Sequence, residues 1–371
     1  MNPGQKRLRL LLSTDTIGGT WQYTTELARA LGPLGIDTIL AVLGPAPDAA
    51  QRAAARAIDG MTLVETGLPL DWLAETPAEV AAAGAQIAAL ATSAGAHLAQ
   101  LNQPSLAAHG GFAIPVVAVS HSCVATWWDA METGPLPADF AWRAALHGAG
   151  LRAADRVVAP SAAFAAATQA AYALAERPTT VFNGRTPLHN APAPMHDFAF
   201  TAGRLWDRGK NLATLDRAAA RLGVPFKAAG ALAGPNGECV TFDNLHALGS
   251  LGEAALAQCL ASRPVFVSAA RYEPFGLAVL EAAAAGCPLV LADIPTFREL
   301  WGHAATFVAC DDDRGFAEAI DALIGDAGLR LAQGEKARAA ASRFAPERMA
   351  GEMNRLYRQI LRMPAAVRVA A

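Results

Sequence analysis

Glu273-Pro274-Phe275-Gly276-Leu277-Ala278-Val279-Leu280-Glu281-Ala282-Ala283-Ala284-Ala285-Gly286-Cys287-Pro288-Leu289-Val290 reads as a glycine turn, a short apolar helix and the entry to a strand. The apolar runs Pro264–Ser268 and Pro288–Ala292 flank the helix, so the segment is a strand–helix–strand unit. Such units build parallel sheets covered by helices. The same alternation extends in both directions. Candidate strands at Arg7–Thr14, Thr38–Leu43, Met61–Thr66, His97–Leu101, Pro115–Ser120, Arg156–Pro160 and Thr179–Phe182 form one series. Phe198–Ala202, Phe226–Ala229, Pro264–Ser268, Pro288–Ala292 and Thr306–Ala309 form a second. Two series predict an α/β protein with two Rossmann-like lobes. Between them Gly184–His196 carries three prolines and no apolar period, which reads as a linker. Met349, Met353, Leu356 and Ile360 give Pro346–Met363 helical spacing, with a loose tail expected over Pro364–Ala371.

The chain of 371 residues can bury a core in each lobe. Its 53% hydrophobic content is inflated by alanine and points to helices. No Asp, Glu, Lys or Arg falls between Glu79 and Asp129, but glycines and prolines interrupt that stretch too often for a membrane span. A buried parallel-sheet interior accounts for it. A net charge of −3 argues against nucleic acid as a partner, and neither half is a basic platform for anionic lipid. The N-terminus shows no secretory signal. Cys123, Cys239, Cys259, Cys287 and Cys310 are odd in number and never paired as C-x-x-C, which suits free thiols in a cytoplasmic protein. Asp311-Asp312-Asp313 precedes a helix and is read as a cap, so no metal site is expected.

Four motifs could carry chemistry. Glu273 and Glu281 bracket the glycine turn, and Glu281 lies between Leu280 and four alanines with no cation near it in sequence. A charge in such a place needs a partner, and ligand hydroxyls would serve. The bland alternative, a surface Glu273 and a Glu281 favoured by the helix dipole, suits Glu273 better than Glu281. N–H groups near Phe275, Gly276 and Leu277 would suit a phosphate. Second, Gly203-Arg204-Leu205-Trp206-Asp207-Arg208-Gly209-Lys210 follows a strand, where Arg204 and Lys210 could bracket a diphosphate and Arg208 is a further candidate. Solvated loop cations are the ordinary alternative. Third, Gly18-Gly19 after the first strand allows close backbone approach, with Thr20 as a helix cap. It forms no full G-x-G-x-x-G, which counts against a dinucleotide-dependent dehydrogenase. Fourth, His121 ends a strand and could meet a sugar hydroxyl, while Trp127 and Trp128 are read as packing residues.

In this order the motifs resemble the retaining glycosyltransferases of family 4, which have the two-lobed GT-B fold. The resemblance covers most of the chain. It rests on Gly18-Gly19, His121, Val157–Ser161, Val181–Gly184, Gly203-Arg204-Leu205 with Lys210, and the E-x7-E pair Glu273/Glu281. Thr20-Trp21-Gln22 departs from the family by lacking an acidic residue soon after the glycine turn. The resemblance implies parallel sheets facing across a cleft and a terminal helix crossing back. It divides the chain into residues 1–183 (acceptor side), 184–197 (linker), 198–345 (donor side) and 346–371 (crossover helix and tail).

It further implies retaining transfer of a hexose-type sugar from a nucleotide-sugar, with UDP- or GDP-sugars favoured, to a saccharide or small-molecule acceptor. No cofactor or metal is expected. Glu273, His121, Arg204 and Lys210 are the catalytic candidates. Gly18, Gly19, Arg204, Arg208, Lys210, Phe275, Gly276, Leu277 and Glu281 are the donor-binding candidates. A transmembrane segment is not expected, and peripheral membrane contact is left open. A sugar-nucleotide epimerase and a non-catalytic nucleotide-sugar binding subunit are the alternatives.

Overall fold

The computed structural model describes residues 7–132, 134–188, 193–235 and 237–362. The chain divides into two compact units, one of residues 1–184 with 346–371 and the other of residues 185–345. Every sheet pairing is parallel. The first unit holds β1 (Leu8–Thr14), β2 (Ile36–Val42), β3 (Met61–Glu65), β4 (Leu98–Leu101), β5 (Val116–Val119), β6 (Arg156–Ala159) and β7 (Thr179–Thr180). Their order in the sheet is β3-β2-β1-β4-β5-β6-β7. The second holds β8 (Ala199–Ala202), β9 (Phe226–Ala229), β10 (His246–Gly249), β11 (Val265–Ser268), β12 (Leu289–Ala292) and β13 (Ala305–Val308), ordered β10-β9-β8-β11-β12-β13. Each order reverses direction once, between β1 and β4 and between β8 and β11. Ligands of such sheets bind outside the strand C-termini at that reversal. This is the two-lobed GT-B architecture.

β10 is the strand that apolar patterning misses. His246, Ala247 and Leu248 are exposed at the sheet's edge, so nothing selected an apolar run there. Leu248 and Gly249 form the end of this strand. β7 covers only part of the run expected over Thr179–Phe182. Thr20 is not a cap: the helix starts at Gly19, and Gly18 holds the N-cap position at φ 97°, a conformation that favours glycine. His189, Asn190, Ala191 and Pro192 of the linker, and the tail from Met363, lie outside the described residues.

The helix Pro346–Arg362 belongs to the first unit. It buries Met349, Met353, Leu356, Tyr357 and Ile360 along one face against Gly19–Leu31. Full burial of such a side chain is worth about 1.5–3 kcal/mol, so this stripe fixes the helix although its other face is charged. At its centre Tyr357 donates to Gln100 Oε1, which joins the helix to the polar cluster at the end of β4. In the second unit, buried Arg330 donates to Asp197 at 2.8 Å and to the carbonyl of Arg263 at 3.1 Å, tying the linker's far end to the helix Ala327–Ala341.

Candidate active site

The second sheet's reversal point is built by the loops after β8 and β11. Beyond β8 the chain turns through Arg208–Lys210. Asp207 shapes this turn: one carboxylate oxygen accepts the Gly209 N–H at 2.9 Å, and the other accepts Arg204 Nη2 at 2.9 Å. Asn211 follows in the left-handed conformation, φ 55°. Its side-chain amide donates to the carbonyls of Ala269, at 3.2 Å, and Cys310, at 2.8 Å. The Gly209 carbonyl accepts the Arg271 N–H at 3.0 Å. These bonds lock the loops after β8, β11 and β13 together. They place Lys210 Nζ 2.6 Å from Glu273 Oε2.

The glycine turn then feeds the helix Leu277–Ala284, with Gly276 as its N-cap at φ 93°. Phe275 stands just ahead of the helix with its ring buried edge-on against Phe344, centroids 5.4 Å apart. Its side chain is therefore an anchor, and its contribution to a ligand would come from the backbone at the helix N-terminus. Glu281 lies one turn into this helix and is buried.

Glu281 does have a cation. Arg185, the first residue of the second unit, donates from Nε to Glu281 Oε1 at 2.8 Å and from Nη2 to Glu253. Sequence distance hid the pair, because 96 positions separate Arg185 from Glu281 and the arginine lies in a segment that reads as plain linker. Burial works against the Arg185 charge, but Glu281 and Glu253 more than offset this and hold its pKa above the ordinary value. The buried carboxylate therefore rests beside a fixed positive charge.

Arg204, Arg208, Lys210, Glu273, Phe275, Gly276, Leu277 and Glu281 thus share the second unit. Arg208 is exposed, and Arg204 is partly exposed with its guanidinium 5.6 Å from the Trp206 ring centroid. Asp207, Asn211 and Arg185 are the residues that sequence reading missed. Among them Asp207 alone left a signal, as a capping residue ahead of Arg208-Gly209.

Gly18, Gly19 and His121 belong to the first unit. His121 follows β5 and packs edge-on against Tyr23, centroids 4.4 Å apart. Its Nε2 lies 2.8 Å from Asn102 Oδ1. The Asn102 amide donates to the Ser13 carbonyl at 2.5 Å, which leaves Oδ1 as an acceptor. His121 Nε2 therefore carries the proton. Burial lowers the His121 pKa to about 3, so the ring is neutral at physiological pH. It is equipped to make hydrogen bonds and poorly suited to carrying a proton near neutrality. Asp312 caps the helix Asp313–Gly325 through the Gly315 N–H, while Asp313 pairs with Arg221. Among the described residues no group of His, Cys, Asp or Glu could hold a metal ion.

Two family models match in tandem. Glycosyltransferase Family 4 covers residues 17–186, and Glycosyl transferases group 1 covers residues 239–340. The lipopolysaccharide core biosynthesis mannosyltransferase LpcC of Rhizobium leguminosarum bv. viciae is 35% identical over 100 residues. That stretch takes in 26% of this chain and 28% of LpcC. Sucrose-phosphate synthase of Thermosynechococcus elongatus superposes with a TM-score of 0.77 at 19% identity, covering 95% of this chain and 99% of that one. HepE of Anabaena, solved in complex with UDP and glucose, gives 0.69 at 16% identity, with 95% and 100% covered. The chain belongs to the family 4-like glycosyltransferases.

Proposed function

We propose that the protein moves a hexose-type sugar from a nucleotide-sugar to an acceptor hydroxyl with retention of anomeric configuration and without a metal. One observation carries this reading. Lys210 and Glu273 meet at 2.6 Å at the reversal point of the second sheet, beside a helix that is capped by Gly276 and bears Glu281. Glu281 would accept the ribose hydroxyls. Lys210 and Arg204 would neutralise the departing diphosphate, the task a divalent cation performs in other enzymes. Arg208 and the backbone N–H groups around Phe275, Gly276 and Leu277 would add to that field. Glu273 would hold hydroxyls of the sugar and orient its anomeric carbon.

No carboxylate is committed to a covalent intermediate in this scheme. The acceptor oxygen bonds to the anomeric carbon on the face from which the phosphate oxygen leaves. The acceptor's proton passes to that phosphate. His121, neutral and hydrogen-bonded, and the backbone at Gly18-Gly19 are assigned to binding. The UDP and glucose bound to HepE support a UDP-sugar donor, and the lipopolysaccharide core mannosyltransferase LpcC supports a bacterial saccharide acceptor, with a GDP-sugar as the alternative donor. A cytoplasmic location is part of the proposal. No helix among the described residues is long and apolar enough to cross a membrane.

A thermal-shift screen with UDP-, GDP-, ADP- and dTDP-sugars tests the reading. At about one hundred times its dissociation constant a ligand stabilises the folded state by about 2.7 kcal/mol, enough to raise Tm by several degrees. One sugar nucleotide should do so, and EDTA should leave the shift unchanged. A shift that vanishes with EDTA would overturn the metal-free scheme. Conversion of the donor to its epimer without an acceptor would identify an epimerase.

A further inference from the structure

Arg185 stands where the chain enters the second unit. Its backbone N–H donates to the carbonyl of Phe344 at 3.1 Å, just before the chain leaves that unit. Its side chain is 8% exposed and that of Glu281 10%, whereas Glu253, the other partner, is 67% exposed. The guanidinium thus spans from an exposed carboxylate to a buried one. A carboxylate buried among alanines without a cation favours its neutral form, because desolvation penalises the charge. Neutral, it would be a weaker acceptor for hydroxyls. A guanidinium also fixes geometry, since its rigid planar donor array constrains the orientation of the carboxylate it binds.

We propose that Arg185 is a positioning residue for donor recognition: it holds Glu281 charged and in a fixed orientation, so that the preference for ribose over deoxyribose depends on the first residue of the second unit. The proposal rests on the reading of Glu281 as the ribose ligand. A purely structural ion pair would act otherwise. Its loss would lower stability and weaken all nucleotides alike, without changing the ratio between ribose and deoxyribose forms.

Calorimetry on the full chain with UDP, GDP, ADP and their 2′-deoxy counterparts separates these cases. The parent protein should bind one ribonucleotide on the order of 10- to 100-fold more tightly than its deoxy form, the range of one charge-assisted hydrogen bond. Glu281→Gln should bring that ratio close to one. Arg185→Ala should do the same, and Arg185→Lys, which keeps the charge and loses the planar fork, should fall between. In the double variant the two losses should not add, as expected for residues acting through one contact. If Glu281→Gln removes the preference and Arg185→Ala keeps it, the Arg185 proposal fails and the Glu281 reading stands. If Glu281→Gln keeps the preference, or the parent shows none or binds none of the six nucleotides, both fail. Should Arg185→Ala not fold by circular dichroism, Arg185→Lys decides, and an unchanged ratio there overturns the proposal.

Discussion

Lys210→Ala will lower transfer by about 10³-fold in kcat, with the circular dichroism spectrum of the parent retained. In the proposed reaction the diphosphate gains negative charge as the sugar leaves, and a fixed cation stabilises that transition state more than the bound donor. Loss of one preorganised electrostatic contact of this kind costs about 10²–10³ in rate. The upper end is expected because Lys210 also sets the charge environment of Glu273, 2.6 Å away. Both side chains keep some solvent contact, 20% for Lys210 and 16% for Glu273. The stability cost should therefore be small, about 1 kcal/mol for a carboxylate that water can still reach. Steady-state kinetics with the donor found in the screen, beside a thermal melt, checks both halves. Transfer within tenfold of the parent would remove Lys210 from the reacting centre.

For Glu281→Ala the expected loss lies in donor affinity, about 10²-fold in Kd, and in stability. Removing the carboxylate deletes the ribose contact, worth about 1.5–3 kcal/mol for hydrogen bonds to a charged group. It also strips the buried Arg185 guanidinium of a carboxylate partner. Breaking a buried pair costs about 3 kcal/mol or more, and the exposed Glu253 compensates only in part. Glu281→Gln separates the two effects, because an amide oxygen can still accept from Arg185 Nε. It should melt closer to the parent and still bind donor weakly. A Glu281→Ala protein that melts low and binds donor normally would make Glu281 a structural residue.

What could be read from the sequence follows from how each feature is encoded. The parallel strands, the turn at Gly276 and the apolar face of Pro346–Arg362 are local patterns of hydrophobicity and backbone freedom, visible within a dozen residues. β10 escaped because an exposed edge strand needs no apolar run. The pairing of Lys210 with Glu273 was only half legible: each residue stood out in its own motif, but their contact depends on Asn211 bridging the loops after β8, β11 and β13. Arg185 was illegible. Its meaning comes from an approach to Glu281 and Glu253 that chain folding alone creates, and prolines around it suggested nothing but a connector. Likewise the neutral state of His121 comes from burial, which is not visible in Ser120-His121-Ser122.

In the proposed reaction the second unit grips a nucleotide-sugar by its ribose and diphosphate. The most direct measurement is a crystal structure of the full chain with the nucleoside diphosphate of the stabilising donor. Ribose hydroxyls are expected within hydrogen-bond distance of Glu281, and the diphosphate on Lys210, Arg204 and the N–H groups at Phe275–Leu277. A nucleotide bound elsewhere, with Glu281 and Lys210 untouched, would contradict it.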